Sequence, residues 1–187
     1  MIDDVEILIE NGKISRLTKL KIDRPVDTVI DLKGLLVIPG LIDVHTHLRG
    51  LNLAYKEDYD TGTLAAAFGG FSTVLDMPNT EPATESVETF KLKVEAAKPK
   101  VYVNVGFYSF IPEKLSEIRK LAAEGVFGFK VFMHRVMPGY KFTSLEDLEE
   151  PFKLIGETGL PILVHAEKRE VYETVKREHP DGGLEAF

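Results

Sequence analysis

The chain has 187 residues, of which 44% are hydrophobic and 28% charged, an ordinary globular composition long enough to bury a sizeable core. Its net charge of −7, with no stretch that concentrates Lys and Arg, argues against a nucleic-acid partner. No apolar run is long enough to span a bilayer, the start is acidic rather than signal-like, and the absence of cysteine excludes disulfides, thiolate ligands and Cys nucleophiles, so a soluble cytoplasmic protein is expected.

The first three dozen residues read as short strands. Residues 5–9 and 13–17 flank Asn11-Gly12, the favoured two-residue hairpin turn. A third strand is expected over 27–31, before Lys33-Gly34, and an apolar run then enters Pro39-Gly40. Residues 1–39 are therefore expected to form a small β unit without its own core. From residue 40 to 187 the pattern alternates. Strand-length apolar runs cover 41–44, 72–75, 101–107, 127–132 and 161–164. Helix-length segments lie at 58–68, 86–97, 113–123, 144–157 and 167–177, with Ser144 and Asp147 spaced as a helix start and Pro112 opening the third segment. Repeated βα units imply a parallel α/β sheet with right-handed crossovers. Two architectures fit: an incomplete (β/α)₈ TIM-type barrel of about five βα units, or an open five-stranded sheet.

Asp43-Val44-His45-Thr46-His47-Leu48-Arg49 is the most informative segment. Residues two apart in a strand share a side, so His45 and His47 project together from the carboxyl end of a strand. Such imidazoles can clamp a metal, or pair as ordinary hydrogen-bonded histidines. Lys130 sits inside the apolar run Gly128-Phe129-Lys130-Val131-Phe132, where an ammonium is costly. It can snorkel outward, or take up CO₂ as the neutral amine to give a carbamate that binds cations. His165 closes the strand of Pro161-Ile162-Leu163-Val164, where it is a ligand or a satisfied core histidine. Arg49 offers a fork for a carboxylate or for a surface ion pair, and Asn79 an amide donor or a turn residue. His134 and His179 read as surface or supporting residues.

Together these segments resemble the amidohydrolase superfamily and, within it, the dihydroorotase family. The resemblance runs from about Val5 to Glu167. It rests on His45-Thr46-His47-Leu48-Arg49, Tyr55-Lys56-Glu57-Asp58, Thr61-Gly62-Thr63, Gly69-Gly70-Phe71-Ser72-Thr73-Val74 and Asp76-Met77-Pro78-Asn79-Thr80. It implies two Zn²⁺ ions: one on His45 and His47, and a second on His165, bridged to the first by N-carboxylated Lys130. It also implies that Arg49 and Asn79 hold the carboxylate of dihydroorotate, and that metal-activated hydroxide interconverts dihydroorotate and carbamoyl aspartate in pyrimidine synthesis. Gly50-Leu51-Asn52 stands where many relatives carry a Glu-Pro-Gly-type turn, and some branches replace the bridging lysine with aspartate.

The family takes a further histidine from a sixth strand and a proton-shuttling aspartate from an eighth, so no catalytic acid–base residue is assigned in this chain. A short chain that is inactive or weakly active alone is expected. Its open sheet edges would be relieved by a partner supplying the remainder or by self-association into a homo-oligomer, and aspartate carbamoyltransferase is the partner expected in a scaffold reading. Two other readings are a dihydropyrimidinase- or allantoinase-like hydrolase, against which Arg49 and Asn79 argue, and a non-catalytic dihydroorotase-like scaffold. Either enzyme would act on a small molecule.

Overall fold

The computed structural model describes residues 4–133, 142 and 144–179. The chain forms two compact units, one running to Pro39 and the other starting at Gly40. In the first, β1 (Glu6–Glu10) and β2 (Lys13–Thr18) pair antiparallel, with an irregularity between Leu8 and Ile9. The turn between them places Asn11 at φ 53° and Gly12 at φ 72°, as a hairpin that follows the natural strand twist requires. Leu8 is buried while Ile9, Ile14 and Leu17 stay exposed, so this unit has little core of its own.

The expected strand over 27–31 does not form. A strand exists only where a neighbour takes its backbone hydrogen bonds, and among the described residues these find none in a sheet. Val29 and Ile30 accordingly remain 80% and 77% exposed.

The second unit contains β3 (Leu41–Thr46), β4 (Phe71–Asp76), β5 (Asn104–Phe110), β6 (Gly128–Phe132) and β7 (Ile162–His165). Between and after them lie α1 (Tyr59–Phe68), α2 (Val87–Ala97), α3 (Glu117–Ala123), α4 (Leu145–Gly156) and α5 (Arg169–Glu178). All five strands are parallel, and their order in the sheet is β3-β4-β5-β6-β7. That order decides between the two architectures left open by the sequence. A doubly wound open sheet reverses direction at a switch point, whereas here every strand adds beside its predecessor. With right-handed crossovers, such a march keeps helices on one face and belongs to a (β/α)₈-type barrel, of which this unit forms five consecutive βα units.

Local chemistry sets the helix starts. Asp58 accepts from the Tyr59 N–H, and reciprocal capping boxes join Ser86 to Thr89 and Ser144 to Asp147. The third helix begins at Glu117 rather than near 113, because the preceding residues form tight turns that bond Glu117 N–H to Lys114 O and Ile118 N–H to Leu115 O. Between sheet and helices lies the main core, including Val74, Phe90, Phe107, Ile118, Leu121, Phe129, Val131 and Ile155. A separate small cluster joins Leu75, Met77 and Tyr108, with Leu163 packed against it. Neighbouring residues of a strand point to opposite faces, so Val74 and Leu75 serve different layers.

Truncating Phe129, fully buried in the main core, to alanine is expected to cost about 3–5 kcal/mol in urea unfolding. Ile14→Ala on the exposed side of the hairpin should stay within about 0.5 kcal/mol.

Candidate functional site

A parallel sheet gathers the carboxyl ends of its strands along one edge. At that edge β3 ends in His45 and Thr46, followed at once by His47, Leu48 and Arg49. Strand β4 ends at Asp76 and runs into Met77-Pro78-Asn79-Thr80, while Lys130 lies near the end of β6 and His165 ends β7.

Backbone and side-chain bonds stitch the first two strand ends together. Thr46 Oγ1 donates to Leu75 O at 3.1 Å, and Met77 N–H donates to Thr46 O at 2.9 Å. The Leu48 N–H donates to Asp76 Oδ1 at 2.7 Å. Far apart in sequence, Arg49 and Asn79 meet: Arg49 Nη1 donates to the Asn79 carbonyl at 3.1 Å. His47 Nδ1 lies 2.9 Å from Asn79 Oδ1. A carbonyl oxygen can only accept, so Nδ1 carries the proton and Nε2 keeps its lone pair.

The turn after the histidines is conformationally demanding. Arg49, Gly50 and Leu51 have φ of 56°, 64° and 50°. At Gly50 an added Cβ would collide with the Tyr59 ring, so glycine answers both the left-handed backbone and the close approach of the ring. The buried Tyr59 hydroxyl donates to Arg49 O at 3.3 Å and burial pushes its pKa up, so it stays a donor.

The imidazoles of His45 and His47 meet edge-to-face with centroids 5.3 Å apart. Burial lowers the pKa of His45 below the ordinary 6.5, and the nearby positive charges of Lys130 and His165 lower it further against Asp43. His47 is also lowered, first by burial and then by Arg49 and His45, against the Asn79 hydrogen bond and Asp76. Lys130 and His165 thus lie within electrostatic reach of His45. Lys130 is only 4% exposed, and burial lowers its pKa. Its Nζ sits 4.9 Å from the centre of the Phe132 ring, and among the described residues it forms no ion pair with a carboxylate. Phe132 in turn stands beside His165, ring centres 5.4 Å apart, and the two are register partners across β6 and β7. His165 Nε2 is 3.1 Å from Glu167 Oε2.

All six residues singled out from sequence therefore lie at the same edge. Among the described residues, no three His, Asp or Glu side chains are grouped closely enough to hold a metal by themselves. Imidazoles held neutral by lowered pKa values, beside a lysine whose pKa burial also lowers, nevertheless fit a borderline divalent cation, since protonated donors would repel it. His179 is exposed at the end of α5, and His134 lies outside the described residues.

Sequence reasoning missed Asp76 and Lys93. Both are fully buried, with Lys93 Nζ 2.8 Å from Asp76 Oδ2. The approach is an ion contact rather than a well-directed hydrogen bond, so Oδ2 has no hydrogen-bond donor among the described residues. A readable signal existed: Phe90, Lys93, Val94 and Ala97 share the buried stripe of α2 at helical spacing. No helix among the described residues is long and apolar enough to cross a membrane.

A family model described as "Dihydro-orotase-like" matches residues 34–135. The dihydroorotase of Methanothermobacter thermautotrophicus is 38% identical over 181 residues, covering 95% of this chain and 39% of the relative. The probable allantoinase of Oryza sativa subsp. japonica is 41% identical over 146 residues, covering 75% and 29%. Among solved structures, the L-hydantoinase (dihydropyrimidinase) from Arthrobacter aurescens superposes with a TM-score of 0.88 at 31% identity, covering 96% of this chain and 41% of that one. The chain thus spans 29–41% of the length of these three proteins.

With their pKa values lowered, His45 and His47 should titrate below pH 6.5 by NMR. Because folding favours the neutral rings, their contribution to stability is complete above about pH 6.5 and is lost as pH falls through the lowered midpoints. Replacing both with Gln should flatten that part of the urea-stability profile. Gly50→Ala should cost more than about 1 kcal/mol in the same assay.

Proposed function

The chain belongs to the dihydro-orotase-like family, and from that membership we propose that it carries part of the site of a metal-dependent cyclic amide hydrolase acting on dihydroorotate. In this reading His45 and His47 hold one zinc ion, while His165 and N-carboxylated Lys130 hold a second, with Lys130 shared between them. Zinc bound there supplies Lewis acidity, polarising a ring carbonyl and making water more acidic. Water adds to the ring amide, the C–N bond breaks, and carbamoyl aspartate results; the reverse closes the ring for pyrimidine synthesis.

Lys130 carries the reading: a nearly buried amine at the carboxyl edge, without a carboxylate among the described residues, and close enough to act on His45. Burial favours the neutral amine, which can add to CO₂, forming an N–C bond and releasing one proton. The carbamate then offers the cations an anionic oxygen ligand that the imidazoles cannot.

The contact between Arg49 and Asn79 supports the substrate. Asn79 uses its backbone carbonyl toward Arg49 and its side-chain carbonyl toward His47, which leaves its amide N–H groups to a substrate carboxylate beside the guanidinium. Hydantoinase- or allantoinase-type substrates lack that carboxylate. The likeness to an L-hydantoinase and to a probable allantoinase supports this second reading. A non-catalytic scaffold associated with aspartate carbamoyltransferase is a third, distinguished by failure to bind metal.

Titration with Co²⁺ should give a visible ligand-field spectrum that His45→Asn/His47→Asn abolishes, with affinity falling more than about 100-fold. Labelled bicarbonate should give a carbamate carbon resonance that Lys130→Met removes. Calorimetry should show dihydroorotate bound in preference to dihydrouracil, with Arg49→Met reducing the preference at least about tenfold. No preference would favour the hydantoinase-type reading, and no cobalt spectrum the scaffold.

A further inference from the structure

We propose that Asp76 and Lys93 form a positioning pair that fixes the backbone at Leu48, so that the imidazole of His47 and the guanidinium of Arg49 are presented to Asn79. The purpose assigned to the pair rests on the site proposed above; its geometry does not.

Asp76 ends β4, and its carboxylate reaches in two directions. Oδ1 accepts the Leu48 N–H at 2.7 Å, and Oδ2 faces Lys93 Nζ at 2.8 Å. Lys93 comes from α2 on the helical layer and donates to Met77 O at 2.7 Å. Its remaining approach is the Phe107 ring, 5.1 Å from Nζ to the centroid. The ammonium thus grips the carboxylate and the backbone one residue beyond it, and the carboxylate grips the neighbouring loop. Leu48 is itself buried, with His47 and Arg49 on either side bonded to Asn79.

A buried ion pair is an unpromising source of stability, since desolvation offsets the attraction and apolar residues of similar size often serve as well or better. An apolar pair cannot, however, accept the Leu48 N–H. A charged acceptor makes a short, directional bond, and Lys93 keeps it from rotating away. Among the described residues neither Asp76 nor Lys93 is hydrogen-bonded to a proposed ligand; they hold the backbone beside it, and their charges are also felt at His47 and Arg49.

Amide hydrogen exchange of the metal-free chain, read by NMR, tests this directly. Asp76→Leu with Lys93→Met replaces the pair by apolar residues. The variant is expected to fold cooperatively while the Leu48 amide exchanges at least about tenfold faster relative to that of Phe129. Its Co²⁺ affinity should fall about 10–100-fold. Asp76→Asn keeps the shape but loses the charge, and should raise Leu48 exchange to an intermediate degree; it decides the matter should the double variant fail to fold. Lys91→Met, also on α2 but exposed and paired with Glu124, should change neither readout.

Leu48 exchange that only keeps step with Phe129 in the folded variants overturns the proposal and leaves the pair a packing element. Failure of the unaltered chain to bind Co²⁺ counts against the metal reading alone, because Leu48 exchange is measured without metal.

Discussion

Parallel pairing in sequential order is the constraint on which the second unit depends. Each crossover returns the chain to the amino end of the next strand, so every strand delivers its carboxyl end to the same edge. Residues remote in sequence become neighbours there without any contact having to draw them together. His47 and Asn79 meet because β3 and β4 are adjacent; Phe132 and His165 meet because β6 and β7 are. Alternation along each strand then separates the two layers. Val74 and Val131 turn to the helices, while Leu75 and Tyr108 join a small cluster apart from the main core.

Burial lowers the pKa of both buried lysines of this sheet-and-helix framework, but among the described residues only one of them meets a carboxylate. Lys93 meets a carboxylate, a carbonyl and the face of an aromatic ring, so its charge is surrounded by compensation. Lys130 has a ring beneath it and no carboxylate among the described residues, so burial presses toward the neutral amine. Compensation of the first kind makes a rigid support. Its absence in the second is why the proposed carbamate chemistry is placed on Lys130 rather than Lys93.

The loop between the histidines and α1 is held in a demanding conformation by its surroundings. Three consecutive residues with positive φ turn the chain sharply, and the Tyr59 ring packs where a larger residue than Gly50 would sit. The turn is therefore built around glycine and one tyrosine hydroxyl. Such local strain is sustained because both flanks are held, Leu48 by Asp76 and Gly50 N–H by Glu57 O.

Much of this was legible in the residues alone. Apolar runs and turn signals located the five parallel strands to within a few residues, and Asn11-Gly12 and Ser144 with Asp147 marked a hairpin and a helix start, because these are local preferences of the backbone. His45, His47, Lys130 and His165 stood out because their chemistry is out of place in, or near the end of, an apolar strand, and Arg49 and Asn79 because they follow such strands within the segments that carry the family resemblance. What the chain could not announce was pairing. The run over 27–31 has the composition of a strand but no neighbour in a sheet, and sequential rather than reversed strand order became evident only once the strands were side by side. The apolar spacing of α2 could have marked Lys93 as buried, but its pairing with Asp76 was hidden for the same reason, because an ion pair depends on two elements packing together.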